Sequence, residues 1–122
     1  MNKEIEDKIK NISGSYRGEK IVAVDFDDTL FRRGSNGYPE IGAPIEKTIN
    51  YVKELQASGW KTILWTCRSG EELKSAIEAC VEHDLFFDRF NDNLHIEDNQ
   101  LLSRKIYASL YIDDKSINPM EF

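Results

Sequence analysis

The sequence predicts an α/β fold built on a mainly parallel sheet. Two observations carry this expectation. The runs Ile21-Val22-Ala23-Val24, Thr62-Ile63-Leu64-Trp65 and Ser109-Leu110-Tyr111-Ile112 are apolar without polar alternation, as strands buried on both faces require. Between them lie segments whose apolar residues recur at helical spacing. Strands alternating with helices of about a dozen residues imply crossover connections and parallel pairing.

The elements follow in order. Ile5, Ile9 and Ile12 mark a short amphipathic helix ended near Gly14. The first strand, Ile21–Val24, runs into Asp25, Asp27 and Asp28. Residues 32–42 read as loop or hairpin, punctuated by Gly34, Gly37, Pro39 and Gly42. A helix then starts with Pro44 in its first turn, buries Ile45, Ile49, Val52 and Leu55, and closes at Gly59. The second strand ends in Thr66-Cys67-Arg68. Ser69 with Glu72 three residues on predicts a capping box for a helix with the stripe Leu73, Ala76, Ile77, Cys80 and Val81. Leu85-Phe86-Phe87 reads as a short third strand, and the last strand ends in Asp113-Asp114.

Length and composition bound the function. The chain has 122 residues, the size of a single domain spanning 1–122. Sixteen Lys and Arg against twenty-two Asp and Glu give a net charge of −6, which disfavours a nucleic-acid binder needing a basic face for phosphates, duplexes above all. Two cysteines, Cys67 and Cys80, are too few for a disulfide framework or a structural zinc site. No apolar run approaches the ~20 residues that span a bilayer, and the first residues lack a signal-peptide core. The expected location is the cytosol.

The chemistry lies at the strand ends. In open parallel sheets the ligand sits beyond the carboxyl ends of the strands, and three strands deliver polar groups there. Asp25 and Asp27, two apart on extended chain, project to one side about 6–7 Å apart. At an effective dielectric of 20, two full charges at that distance repel by about 2–3 kcal/mol. Such a cluster persists by protonating one member or binding a cation, and hard oxygens without His or Cys point to Mg²⁺. Solvated turn aspartates would explain one acidic pair after a strand, but explain two such pairs poorly.

Asp25-Phe26-Asp27-Asp28-Thr29-Leu30 after four apolar residues resembles the first motif of the haloacid dehalogenase-like superfamily. Leu64-Trp65-Thr66 resembles its second motif, Lys105 its third, and Ile112-Asp113-Asp114 its fourth; the likeness spans residues 20–115. It implies a Rossmann-like three-layer sandwich and a phosphatase acting on a small phosphorylated substrate or the phosphorylated end of a larger molecule. Asp25 would be the nucleophile and Asp27 the general acid and base. Thr66 and Lys105 would steady the phosphoryl group, with Arg104 the rival of Lys105. Asp25, the backbone carbonyl of Asp27, and Asp113 or Asp114 would hold Mg²⁺. Ion-pumping members carry Thr where this chain has Asp27, so aspartate there favours hydrolysis. Asp28 stands where many members have Gly and reads as a turn residue. The gaps between motifs leave no room for a cap domain, and an open site suits a bulky substrate or a cap made by a second subunit.

Arg68 is a candidate contact for a substrate phosphate or carboxylate, and Arg32 and Arg33 lie near the expected mouth. Asn91, Asp92 and Asn93 read as a turn, Cys67 and the aromatic residues as packing. The leading reading is a Mg²⁺-dependent phosphomonoesterase. A nucleotide or polynucleotide-end phosphatase is the second enzyme reading. A phospho-receiver module is the non-enzymatic one, but it needs its accepting Asp on a middle strand, where this chain has Trp65-Thr66.

Overall fold

The computed structural model describes residues 20–92 and 108–113. The N-terminal helix expected near residues 5–12, and with it Asn93, His95, Arg104, Lys105 and Asp114, lies outside the described residues. Strands β1 (Ile21–Val24), β4 (Lys61–Leu64), β5 (Arg89–Phe90) and β6 (Leu110–Ile112) form one sheet in the order β5-β4-β1-β6. All three pairings in it are parallel. Strands β2 (Phe31–Arg33) and β3 (Ile41–Pro44) form a separate antiparallel hairpin. Helices α1 (Glu46–Ala57) and α2 (Gly70–Glu82) complete an α/β arrangement compatible with a Rossmann-like fold. No helix among the described residues is long and apolar enough to cross a membrane.

All four residues of β1 are buried, because β1 is central and covered on both faces. Val22 and Val24, with Leu64 and Ile112 beside them, share a cluster with Ile49, Val52 and Leu55 of α1 and Ala76 and Cys80 of α2. Ile21, Ala23 and Ile63 point the other way and pack with Trp65, Ala108 and Tyr111. Both described helices therefore cover one face; the helix expected from the N-terminal apolar spacing is not among the described residues.

The α1 stripe is as expected, with Ile45, Ile49, Val52 and Leu55 buried. Its start is not. Pro44 ends β3, and Glu46 opens the helix after Ile45, because Pro44 pairs with Phe31 across the hairpin. The helix stops where glycine allows. Gly59 adopts φ +92, and the amides of Gly59 and Trp60 donate to the carbonyls of Gln56 and Leu55, both at 3.0 Å. This left-handed ending satisfies otherwise orphaned carbonyls and turns the chain into β4. Asp84 (φ 57) ends α2 the same way, with Leu85 N donating to Cys80 O at 3.0 Å.

Three local expectations are corrected. Ser69 precedes α2, but its side chain makes no capping bond; the backbone is extended there and Gly70 enters the helix at φ +55. Val81 is 43% exposed, since one step beyond buried Cys80 rotates the side chain away from the sheet. Leu85–Phe87 is not a strand. The amide of Leu85 is occupied by the helix ending, and the carbonyl of Phe86 accepts from Gln56 Nε2 at 2.7 Å. Pairing with β4 begins at Asp88, whose amide donates to Thr62 O and whose carboxylate accepts from Thr62 N at 2.7 Å. The strand is therefore Arg89–Phe90.

Candidate active site

The carboxyl ends of β1, β4 and β6 lie side by side. Val24 is in register with Leu64 on one side and Ile112 on the other. The backbone continues that alignment: Trp65 N donates to Val24 O at 2.8 Å and Asp25 N to Ile112 O at 2.9 Å. Asp25 and Asp113 thus follow paired residues on adjacent strands, and Thr66 lies just beyond the third. All three line one cleft of ≈ 460 Å³ with Asp27.

The turn after β1 fixes the two aspartates. Phe26 is fully buried, and its carbonyl accepts from the amides of Thr29, Leu30 and Phe31 at 2.9 to 3.3 Å. With Phe26 anchored in the core, its neighbours Asp25 and Asp27 face the cleft. Thr29 Oγ1 donates to Asp25 Oδ2 at 3.4 Å, which orients that carboxylate. Asp28 adopts φ 59, the left-handed conformation that favours glycine. Its side chain accepts from Arg33 N and, at 2.8 Å, from Arg33 Nε. That hydrogen bond holds the Asp28 carboxyl below the ordinary carboxylate value.

Arg68 is the structural centre of the site. It is 1% exposed. Its Nε donates to Asp27 Oδ2 and its Nη2 to Asp27 Oδ1, both at 2.9 Å. Nη2 also donates to Pro39 O at 2.9 Å, and Nη1 to Glu72 O at 3.4 Å. The guanidinium stacks on the rings of Phe26 and Tyr38, 5.1 and 5.0 Å from their centroids. The sequence placed Arg68 at the substrate; the structure encloses its side chain, and its influence on the cleft runs through Asp27. The planar two-pronged pairing fixes the carboxylate plane while leaving a lone pair on each oxygen for a third group.

Thr66 is held from both sides. Its amide donates to Asn91 Oδ1 at 2.7 Å, and its Oγ1 accepts from Arg68 N at 3.1 Å, so its O–H is left to donate. Asn91 Nδ2 donates to Arg68 O at 3.2 Å. Asn91 is a turn residue (φ 56), but it also clamps the loop after β4, a role nothing in the sequence announces. Cys67 lines the cleft instead of only packing, and Trp65 stands at its rim. The hairpin adds Arg33 and Tyr38, so the interval between β1 and β4 holds a hairpin over the cleft and α1.

Among the described residues no group of three or more His, Cys, Asp and Glu is placed to hold a metal ion. Asp25 and Asp113 form a pair of hard oxygen donors with no imidazole among the described lining residues. That chemistry fits Mg²⁺, which is commonly held by one or two carboxylates together with water and substrate phosphate. Both carboxylate oxygens of Asp27 accept from Arg68; its backbone carbonyl is the oxygen that the family resemblance would put at a cation. Asp114 and Lys105 lie outside the described residues.

A conserved protein coded by a locus from Bacteroides thetaiotaomicron, of solved structure, is 38% identical to this chain. The likeness covers 82% of this chain and 79% of that one, with a TM-score of 0.71. The chain belongs to the family of that conserved protein. No family profile and no curated protein matches it. The two chains share the fold over about four-fifths of each.

Proposed function

We propose that this protein is a phosphomonoesterase of the haloacid dehalogenase-like type, hydrolysing phosphate esters through a phosphorylated Asp25. The observation that supports the reading is the convergence of Asp25, Asp27, Thr66 and Asp113 in one cleft at three adjacent strand ends. This arrangement resembles the superfamily's motifs in kind, order and position.

In the first half-reaction an Asp25 carboxylate oxygen attacks phosphorus. The ester P–O bond breaks, and the leaving oxygen takes a proton from Asp27. In the second, water attacks phosphorus and gives a proton to Asp27, and the bond to Asp25 breaks to release phosphate. Two easier steps replace one hard one, and a positioned acid and base typically contributes 10²–10⁴-fold. Arg68 keeps the Asp27 carboxylate in place for both transfers. The Thr66 hydroxyl donates to a phosphoryl oxygen, and Lys105 is the expected second donor. Asp25, Asp113 or Asp114, and the backbone carbonyl of Asp27 would hold Mg²⁺. When bound, the ion supplies positive charge to offset that on the phosphoryl oxygens.

The test is hydrolysis of p-nitrophenyl phosphate with and without Mg²⁺, alongside Asp25→Asn. Turnover should vanish in chelator and return with Mg²⁺, and Asp25→Asn should show none with any ester. Full activity in excess chelator, or an active Asp25→Asn protein, would overturn the reading.

A further inference from the structure

We propose that Tyr38 is a specificity residue that receives a planar ring on the leaving group of the ester. The inference rests on the phosphomonoesterase reading and names its substrate class. Tyr38 is 50% exposed and lines the cleft. The other two large exposed hydrophobic residues among the described ones, Val81 and Phe86, do not line it.

The ring is exposed but fixed. Arg68 stacks on it at 5.0 Å and donates to the carbonyl of the next residue, Pro39, at 2.9 Å. The same guanidinium holds both oxygens of Asp27. The leaving oxygen must sit at Asp27 to receive its proton, and Asp27 and Tyr38, both held on Arg68, line the same cleft. Trp65 adds a second aromatic wall and is braced by Tyr111, ring centroids 5.3 Å apart. Aromatic rings held in place favour a flat, π-bearing partner over a saturated one of equal size.

The test measures binding apart from hydrolysis. Phenylphosphonate and cyclohexylphosphonate carry uncleavable P–C bonds and differ in planarity. By calorimetry with Mg²⁺ present, the wild-type protein should bind the phenyl compound about five- to tenfold more tightly. Tyr38→Phe should keep that preference, and Tyr38→Leu should reduce it to within about twofold. Equal affinity in the wild type, a preference surviving in Tyr38→Leu, or binding of neither compound overturns the proposal. Absence of turnover with any ester, with the phenyl preference intact, would remove the hydrolase reading and leave the ring site standing. Rates for a nucleoside 5′-monophosphate against phenyl phosphate then separate a nucleobase from a phenol as the ring; either ranking keeps the proposal.

Discussion

Arg68 and Asp27, 41 positions apart in sequence, meet through two parallel hydrogen bonds of 2.9 Å each, with the Arg68 side chain fully enclosed and the Asp27 side chain 13% exposed. Breaking a buried pair by removing one partner costs about 3–5 kcal/mol. The lower end applies because water still reaches Asp27. Arg68→Met should therefore lower the urea midpoint and the turnover together. Arg68→Lys keeps the charge but loses the fork, so it should recover more stability than activity. Coupling between Arg68→Met and Asp27→Asn, read from a double-mutant cycle, should be large; strictly additive losses would mean that the pair does not act as a unit.

Asp27→Asn separates the two half-reactions. An amide cannot accept both Arg68 bonds, and it cannot carry the proton. p-Nitrophenolate departs with little protonation, so the mutant should still phosphorylate Asp25 from that ester but hydrolyse the product slowly. Rapid-quench kinetics should show a burst of p-nitrophenol equal to the enzyme concentration, with the phosphate on Asp25 by mass spectrometry. Equal losses for alkyl and nitrophenyl esters, without a burst, would remove Asp27 from the acid–base role.

Gly42 lies where a side chain has no room. A Cβ there would stand 2.6 Å from the Arg33 carbonyl and 2.9 Å from that of Arg32. Gly42→Ala must push β3 away from β2, at about 1–3 kcal/mol. Arg33 and Tyr38 move with the hairpin, so KM should rise more than kcat falls. An unchanged melting temperature and KM would contradict the close approach.

The two thiols should respond oppositely to a maleimide. Cys67 is exposed at the cleft, whereas Cys80 is buried and burial pushes its pKa up to about 12. The thiolate is the reactive form. One label should enter the native protein, at Cys67, and block turnover; a second should enter only on unfolding. Two labels under native conditions would mean that α2 opens readily.

Asp28 sets an acid limit on the hairpin. Its folded pKa is depressed by the Arg33 hydrogen bond. The stabilisation is thus complete above the unfolded value, about 3.9, and is lost as pH falls through the lower folded value. Both side chains are partly exposed, 48% for Arg33 and 40% for Asp28, so solvent screening keeps the effect below about 1 kcal/mol. Melting curves of the wild type and Asp28→Asn should differ near neutrality and converge at strongly acid pH. A gap that widens in acid would reverse the assignment.

Local and short-range features were legible in the residues. Burial of Ile21–Val24 follows from an unbroken apolar run, and Gly59 marks the end of α1 because only its backbone accepts φ +92 cheaply. Asp28 reads as a turn residue because glycine is common at that position in the resembling motif, and its φ of 59 gives the reason. Long-range polar pairing was not legible. Nothing in Arg68 announces Asp27, and nothing in Asn91 announces Thr66. The strand expected at Leu85–Phe87 fails for the same reason: Gln56, thirty residues earlier, takes the Phe86 carbonyl.

The feet of the hairpin touch. Phe31 pairs with Pro44, and Ile45 N donates to Leu30 O at 2.8 Å, so the chain re-enters the core beside the point where it left. The tip between those feet can change in length without moving them, provided that Tyr38 and Pro39 keep their hold on Arg68. Lengthening such a closed segment twofold costs only about 0.6 kcal/mol in chain entropy. New reach over the cleft could thus be grafted between Ser35 and Asn36, with Tyr38 and Pro39 left on Arg68 so that Asp27 stays where it is, and the choice of substrate can then be altered apart from the chemistry.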